Sequence, residues 1–222
     1  MYRKIQYPVE VYNFINLLKD LYGVESLELL HESLTSEYSI PDGIDGLGYD
    51  TASAFHRRLY NKLGSGWEEI ESLYRKFILE VVKPLFPQED KLIYQAFPSY
   101  RIQYPNNKAI TTVHTDSDKD HQHPSGEINF IIPLTEMRAS SAPWVESFPG
   151  AGDHSPMEGL PKDLFMWYGN KCSHFNKINK TGKTRISFDF RVMPSKFYDP
   201  THEACSVTKG KRFVIGEYYA CL

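Results

Sequence analysis

His114-Thr115-Asp116, the later His174 and then Arg185, eleven positions beyond it, are the residues of this chain whose types and spacing could do chemistry. Two imidazoles and one carboxylate are the ligand set of the non-haem Fe(II) facial triad, which leaves part of the metal's coordination sphere open. A guanidinium close by adds a planar cation able to grip a dicarboxylate through paired hydrogen bonds. His-x-Asp is weak evidence by itself, because Asp116 to His123 holds three aspartates and two histidines that a hydrated loop could equally contain. The combination with His174, Arg185 and the hydroxyl of Ser187 is far more specific than any part of it.

These side chains can meet only if strands carry them. Beyond Leu92 the hydrophobic pattern has period two, over Ser99 to Tyr104, Thr111 to Asp116, Glu127 to Leu134, Pro143 to Phe148, Leu164 to Trp167 and Thr184 to Val192. Such short runs, rich in β-branched and aromatic residues and separated by Pro, Gly, Asn and Ser, predict a sandwich or barrel. Residues two apart in a strand share a face. Arg101 therefore aligns with Gln103, His114 with Asp116, Glu127 with Asn129, and Arg185 with Ser187, Asp189 and Arg191. The opposite face carries Ile128, Phe130, Ile132, Ile186, Phe188 and Phe190. In an ordinary sandwich the apolar face points inward; here a polar face recurs on several strands, as expected of a sheet whose interior is a reactive pocket and whose apolar exterior is covered by helices.

Those helices are expected earlier in the chain. Apolar residues at three- and four-residue steps predict one over Val9 to Leu21, closed by Gly23, and a short one over Ser26 to Leu34. After a turn-rich stretch with Pro41, Gly43, Gly46 and Gly48, two more are expected over Ala52 to Leu63 and Trp67 to Leu85, the last ended by Pro84 and Pro87. The whole chain, 1–222, reads as a single α+β domain: a mainly helical part (1–92), a strand core (93–200) and a C-terminal extension (201–222).

Composition narrows the function classes. With 222 residues, 41% hydrophobic and 14% aromatic, the chain can fill a substantial core. Its net charge of −3 and scattered basic residues argue against nucleic acid as a partner. Three cysteines without paired spacing fit a reducing compartment. No apolar run is long enough to span a bilayer and the N-terminus lacks a signal-peptide pattern, so a cytoplasmic location is expected.

The sequence resembles the Fe(II)/2-oxoglutarate-dependent oxygenases and, within them, the streptomycin-biosynthesis-type group. The likeness rests on Tyr100 to Pro105 (YRIQYP), His114 to Ser117 (HTDS), His123 to Phe130 (HPSGEINF) with Pro133-Leu134-Thr135, Trp144 to Ser147 (WVES), Gly169 to His174 (GNKCSH) and Thr184 to Val192 (TRISFDFRV). It covers roughly residues 95 to 200, with Phe213 to Tyr219 a weaker match. The resemblance implies a double-stranded β-helix, jelly-roll or cupin-like, with the N-terminal helices on the outer face of its major sheet. It makes His114, Asp116 and His174 the iron ligands and Arg185, with Ser187, the partner of the cosubstrate's distal carboxylate. Asn129 and Gln103 become weaker candidates for touching 2-oxoglutarate or the primary substrate.

Arg101, Glu127, Trp144, Glu146 and Arg191 are candidates for binding a small polar metabolite, although an Asp189–Arg191 pair suits a structural role as well. His121 and His123 fall on an expected lid loop. The implied reaction consumes O2 and 2-oxoglutarate, releases succinate and CO2, and usually hydroxylates an aliphatic C–H bond. Asp116 argues against halogenation, since halogenating relatives lack that carboxylate. Two other readings stay open: a cupin-type metal enzyme that does not use 2-oxoglutarate, and a non-catalytic jelly-roll binding protein. Thr181-Gly182-Lys183-Thr184 is not a phosphate-binding loop, because Lys177 stands where its first glycine belongs.

Overall fold

Alternation between Arg185 and Val192 produces the longest strand among the described residues, and the other elements are arranged around it. The computed structural model describes residues 2–33, 53–107, 109, 112–207 and 209–222. In chain order the strands are Arg3–Gln6 (β1), Leu92–Gln95 (β2), Ser99–Gln103 (β3), Ile128–Pro133 (β4), Pro143–Val145 (β5), Ser155–Pro156 (β6), Asp163–Trp167 (β7), His174–Asn176 (β8), Arg185–Pro194 (β9) and Tyr219–Cys221 (β10). The α-helices are Phe14–Tyr22 (α1), Ala54–Gly64 (α2) and Glu68–Phe77 (α3).

A large sheet runs β1-β7-β4-β9-β2-β10, with β3 also paired to β9, and a small one runs β6-β5-β8. Every ladder is antiparallel. β4 occupies one edge of β9, pairing Ile128 with Val192 through Pro133 with Ser187. β3 and β2 share the other edge end to end, Gln103 opposite Arg185 and Leu92 opposite Pro194. All of β9 is buried. Such burial requires a cover on both faces.

One cover is aromatic. Ile186, Phe188, Phe190 and Val192 belong to a core that also holds Phe14 and Leu18 of α1 and Ile70, Tyr74 and Phe77 of α3. Phe14 meets Phe188 edge-on at 5.7 Å, Tyr74 meets Phe190 at 5.6 Å, and Phe130 stacks on Phe190 at 5.2 Å. Each such ring contributes roughly 1.5–3 kcal/mol by leaving water. The other face of β9 carries Arg185, Ser187, Asp189 and Arg191, and it looks toward the small sheet.

The helices start and stop for local reasons. α1 begins at Phe14 rather than Val9, because Pro8 opens a turn and Asn13 caps the first helical N–H groups, accepting from Asn16 N at 3.2 Å. Gly23, at φ 68°, closes it in the left-handed conformation and donates to Lys19 O at 2.7 Å. The expected helix over Ser26 to Leu34 is a 3-10 segment, Leu27–Ser33. The expected single helix from Trp67 to Leu85 changes type, passing through a π turn at Ile78–Val82 into a 3-10 turn at Lys83–Leu85. Pro84 has no N–H to give and its ring crowds the preceding turn, so the α ladder cannot continue through it. Pro41, Gly43, Gly46 and Gly48 lie outside the described residues.

Three strand expectations also change. Pro143 to Phe148 shortens to β5, and Thr111 to Asp116 forms only an isolated bridge at His114, Thr111 itself being outside the described residues. Strands β1 and β10, from segments read as helical part and C-terminal extension, join the large sheet. No helix among the described residues is long and apolar enough to cross a membrane.

Phe190 is 0% exposed between the stacked Phe130 ring and α3. Phe190→Ala is expected to lower the unfolding free energy by about 3–5 kcal/mol, read from urea denaturation. A loss under about 1 kcal/mol would contradict this packing of helix on sheet.

Candidate metal centre

Backbone pairing brings two distant imidazoles together. His114 and His174 exchange both main-chain hydrogen bonds, at 3.2 and 2.9 Å, although the segment around His114 is not otherwise a strand. The chain turns directly afterwards, with Asp118 N donating to Thr115 O at 3.2 Å, which is why the ladder stops after one pair. Asp116 is anchored separately, its N–H donating to Gly169 O at 3.0 Å. The three side chains thus converge from a turn and from the first residue of β8, not from adjacent positions of one long strand.

Each histidine is oriented by the carbonyl two residues before it. His114 Nδ1 lies 2.9 Å from Thr112 O and His174 Nδ1 lies 3.0 Å from Cys172 O. A carbonyl can only accept, so Nδ1 carries a proton in both rings and Nε2 is the nitrogen each ring would offer to an ion. One ligand atom from each of His114, Asp116 and His174 lies within 4.8 Å of the others. The donor set fits a divalent transition metal: two imidazole nitrogens and one carboxylate oxygen that lie within reach of one another.

The three groups differ in their electrostatics. Burial would push the Asp116 carboxyl upward, but the Arg191 guanidinium and the hydrogen bond with His174 hold it well below the usual carboxylate range. Burial, together with the neighbouring His174, lowers His114 to about 4, so that ring is neutral at physiological pH. Burial opposes protonation of His174 too, yet its hydrogen bond and attraction to Asp116 outweigh it and raise that pKa. The difference between the rings follows from geometry: His174 Nε2 stands 3.5 Å from Asp116 Oδ1.

The far oxygen of Asp116 is also engaged. Oδ2 accepts from Asn129 Nδ2 at 2.6 Å and from Arg191 Nε and a terminal nitrogen at 3.2 and 2.9 Å. Asn129 stands opposite Arg191 on β9 and opposite Trp167 on β7, so the three form one row across the large sheet. Trp167 lines the pocket beside the triad, and its indole N–H, buried, has no hydrogen-bond partner among the described residues. That nitrogen lies in the wall, where a Cβ on Gly169 would approach both it and the Asn129 amide. Trp167 escaped the sequence reading because an aromatic in an apolar run resembles ordinary core.

Arg185 lines the same narrow cavity, of about 70 Å³. Its guanidinium donates to Ser187 Oγ at 3.0 Å, Asn176 Oδ1 at 3.2 Å, Ser141 O at 3.2 Å and Gln103 Oε1 at 3.4 Å. Gln103 is itself fixed by donating to Lys177 O at 2.6 Å. Asn176, two residues after His174 on β8, had no signal in the sequence beyond that spacing.

The residues expected to touch a substrate divide. Arg101 and Arg191 line the pocket, but each is bound to Asp189, at 2.9 and 3.1 Å. Glu127, Trp144 and Glu146 lie elsewhere. Glu127 is buried between the Tyr219 hydroxyl and His123 Nδ1. Trp144 packs on Phe175, with Lys177 Nζ 3.2 Å from its ring centroid. Glu146 organises a loop by accepting from the backbone N–H groups of Ser173, Gly152 and Gly150. The structure does not bring these three to the pocket lined by the triad, and for Glu127 and Glu146 the reason is that period-two alternation cannot tell a carboxylate facing a cavity from one satisfied inside a wall. Of the loop histidines, His121 stacks on His114 at 4.6 Å, whereas His123 is held by Glu127.

Over 98% of this chain and 97% of the relative, the sequence is 26% identical to streptomycin biosynthesis protein StrG of Streptomyces griseus. The fold matches the crystal structure of the non-heme alpha ketoglutarate dependent carbocyclase SnoK from nogalamycin biosynthesis, with TM-score 0.53 and 12% identity over 100% of this chain and 92% of that one. The chain resembles the Fe(II)/2-oxoglutarate-dependent oxygenases. No protein-family model matches it.

Acid should test the ion network. Against the upward push of burial, Arg191 holds Asp116, and Arg101 with Arg191 holds Asp189, below the ordinary 3.8. A depressed folded pKa contributes stability that is present above the unfolded value and lost as pH falls through the folded one. The urea midpoint of the metal-free protein is therefore expected to drop steeply below about pH 3.8. Asp189→Asn should flatten that slope.

Proposed function

We propose that this protein is an Fe(II)- and 2-oxoglutarate-dependent oxygenase acting on a small polar metabolite in the cytoplasm. The observation that carries the reading is the convergence of His114, Asp116 and His174 ligand atoms within 4.8 Å, in a pocket that Arg185 also lines. We read the two antiparallel sheets as the major and minor sheets of a double-stranded β-helix, with the N-terminal helices outside the major one. Fe(II), 2-oxoglutarate and O2, when bound, supply oxidation of a substrate C–H bond coupled to release of succinate and CO2, with hydroxylation the simplest outcome.

The chain's own residues divide the work. The two Nε2 atoms and Asp116 hold the metal on one face. Arg185 takes the distal carboxylate of 2-oxoglutarate, exchanging its contacts with Ser187 and Asn176 for charge-assisted ones. Gln103 keeps the guanidinium in place during that exchange. The Trp167 ring with Ile131 and Pro143 supplies an apolar wall that limits water. Arg101 and Asp189 give the pocket the polar character that suits a hydrophilic substrate.

With Fe(II), the protein is expected to convert 2-oxoglutarate to succinate, and a metabolite-pool screen reading succinate release should find the substrate. His174→Ala should abolish turnover. Arg185→Leu should weaken 2-oxoglutarate binding by about 2–5 kcal/mol, roughly 30-fold or more in Kd by calorimetry. Metal binding without any cosubstrate binding would instead favour a cupin-type enzyme that does not use 2-oxoglutarate.

A further inference from the structure

We propose that Asn129 and Arg191 are positioning residues that clamp Oδ2 of Asp116 so that only Oδ1 can bind the metal. The inference rests on the metal-site reading above and adds to it which oxygen serves and what enforces the choice. A carboxylate offers about two lone-pair directions per oxygen. Oδ2 already receives three N–H groups, at 2.6, 2.9 and 3.2 Å from Asn129 and Arg191. Nothing is left on it for an ion. Oδ1 is the oxygen that faces His174 Nε2, at 3.5 Å. A chelating carboxylate would have to break at least one charge-assisted bond inside a buried site.

The clamp is built into the sheet rather than added to it. Asn129 and Arg191 are cross-strand partners, which places both side chains on one face at the same level of the pocket. Arg191 is steadied from behind by Asp189, which Arg101 holds in turn. On the other side the requirement falls on Gly169. A Cβ there would lie 2.7 Å from Asn129 Nδ2 and 2.8 Å from Trp167 Nε1. The same glycine accepts the Asp116 N–H through its carbonyl. Gly169 therefore sets the Asp116 backbone and leaves room for the amide that fixes the side chain. Single-oxygen ligation keeps one more coordination position open, which a site taking both a chelating cosubstrate and O2 requires.

The alternative is that Asn129 and Arg191 merely satisfy a buried carboxylate, which would affect folding and not the metal. Co(II) distinguishes the two, because its visible absorption bands report coordination number and its binding needs no turnover. In the 222-residue chain, Asn129→Ala and Arg191→Lys are expected to weaken Co(II) binding by about 10- to 100-fold, the range typical of residues that orient a ligand. Both should also change the Co(II) spectrum. Gly169→Ala, which displaces the amide, should show the same loss with Asn129 still present, and it keeps the test available if Asn129→Ala does not fold. Should folded Asn129→Ala and Arg191→Lys match the wild type in Co(II) affinity and spectrum while His174→Ala binds none, the clamp is overturned and the metal site stands. If the wild type binds no Co(II), or His174→Ala binds it equally well, both readings fall.

Discussion

A carboxylate kept ionised inside the protein is the constraint on which the rest of this structure depends. Asp116 is 2% exposed, and removing a charge from water costs several kcal/mol unless hydrogen bonds and an opposite charge compensate. The compensation reaches through a chain of alternating sign, from Asp116 to Arg191, Asp189 and Arg101. Each member leans on its neighbours for solvation that bulk water no longer provides. Polar residues therefore occupy the inner face of β9 where a sandwich would place aliphatic ones, and the hydrophobic core moves to the outer face, against α1 and α3.

That division gives the large sheet two unlike jobs. Its outer side is closed by rings meeting edge-on, which makes a stiff support. Its inner side is held by directional bonds of 2.6 to 3.4 Å, from Asn129 at one end to Arg185 and Gln103 at the other. Stiffness on one side keeps the geometry on the other, since side chains that must be positioned to a fraction of an ångström are best carried on regular strands with locked neighbours.

Much of this was legible in the residues because period two is a geometric rule. Arg185, Ser187, Asp189 and Arg191 share a face in any strand that contains them, and Phe188 and Phe190 must then share the other. What stayed hidden depended on tertiary contacts. His114 and Asp116 converge with His174 through one bridge and a turn, a pattern with no periodicity to read. Glu127 and Glu146 look like pocket carboxylates until Tyr219, from the last strand, and the backbone of a loop are found against them. Asn129 was recognisable as inward-facing, but its partner, a carboxylate from another segment, was not. The break in the helix after Phe77 had a visible cause in Pro84, whereas the π turn that absorbs it did not.

The single bridge between His114 and His174 has a thermodynamic meaning beyond positioning two ligands. Among the described residues the bridge itself contributes two main-chain hydrogen bonds and Asp116 N–H to Gly169 O a third, a thin backbone link between distant segments. An ion held by both imidazoles and by Asp116 would act as a cross-link closing that long loop, its binding free energy becoming free energy of local order. Metal binding would then make local opening of that loop rarer.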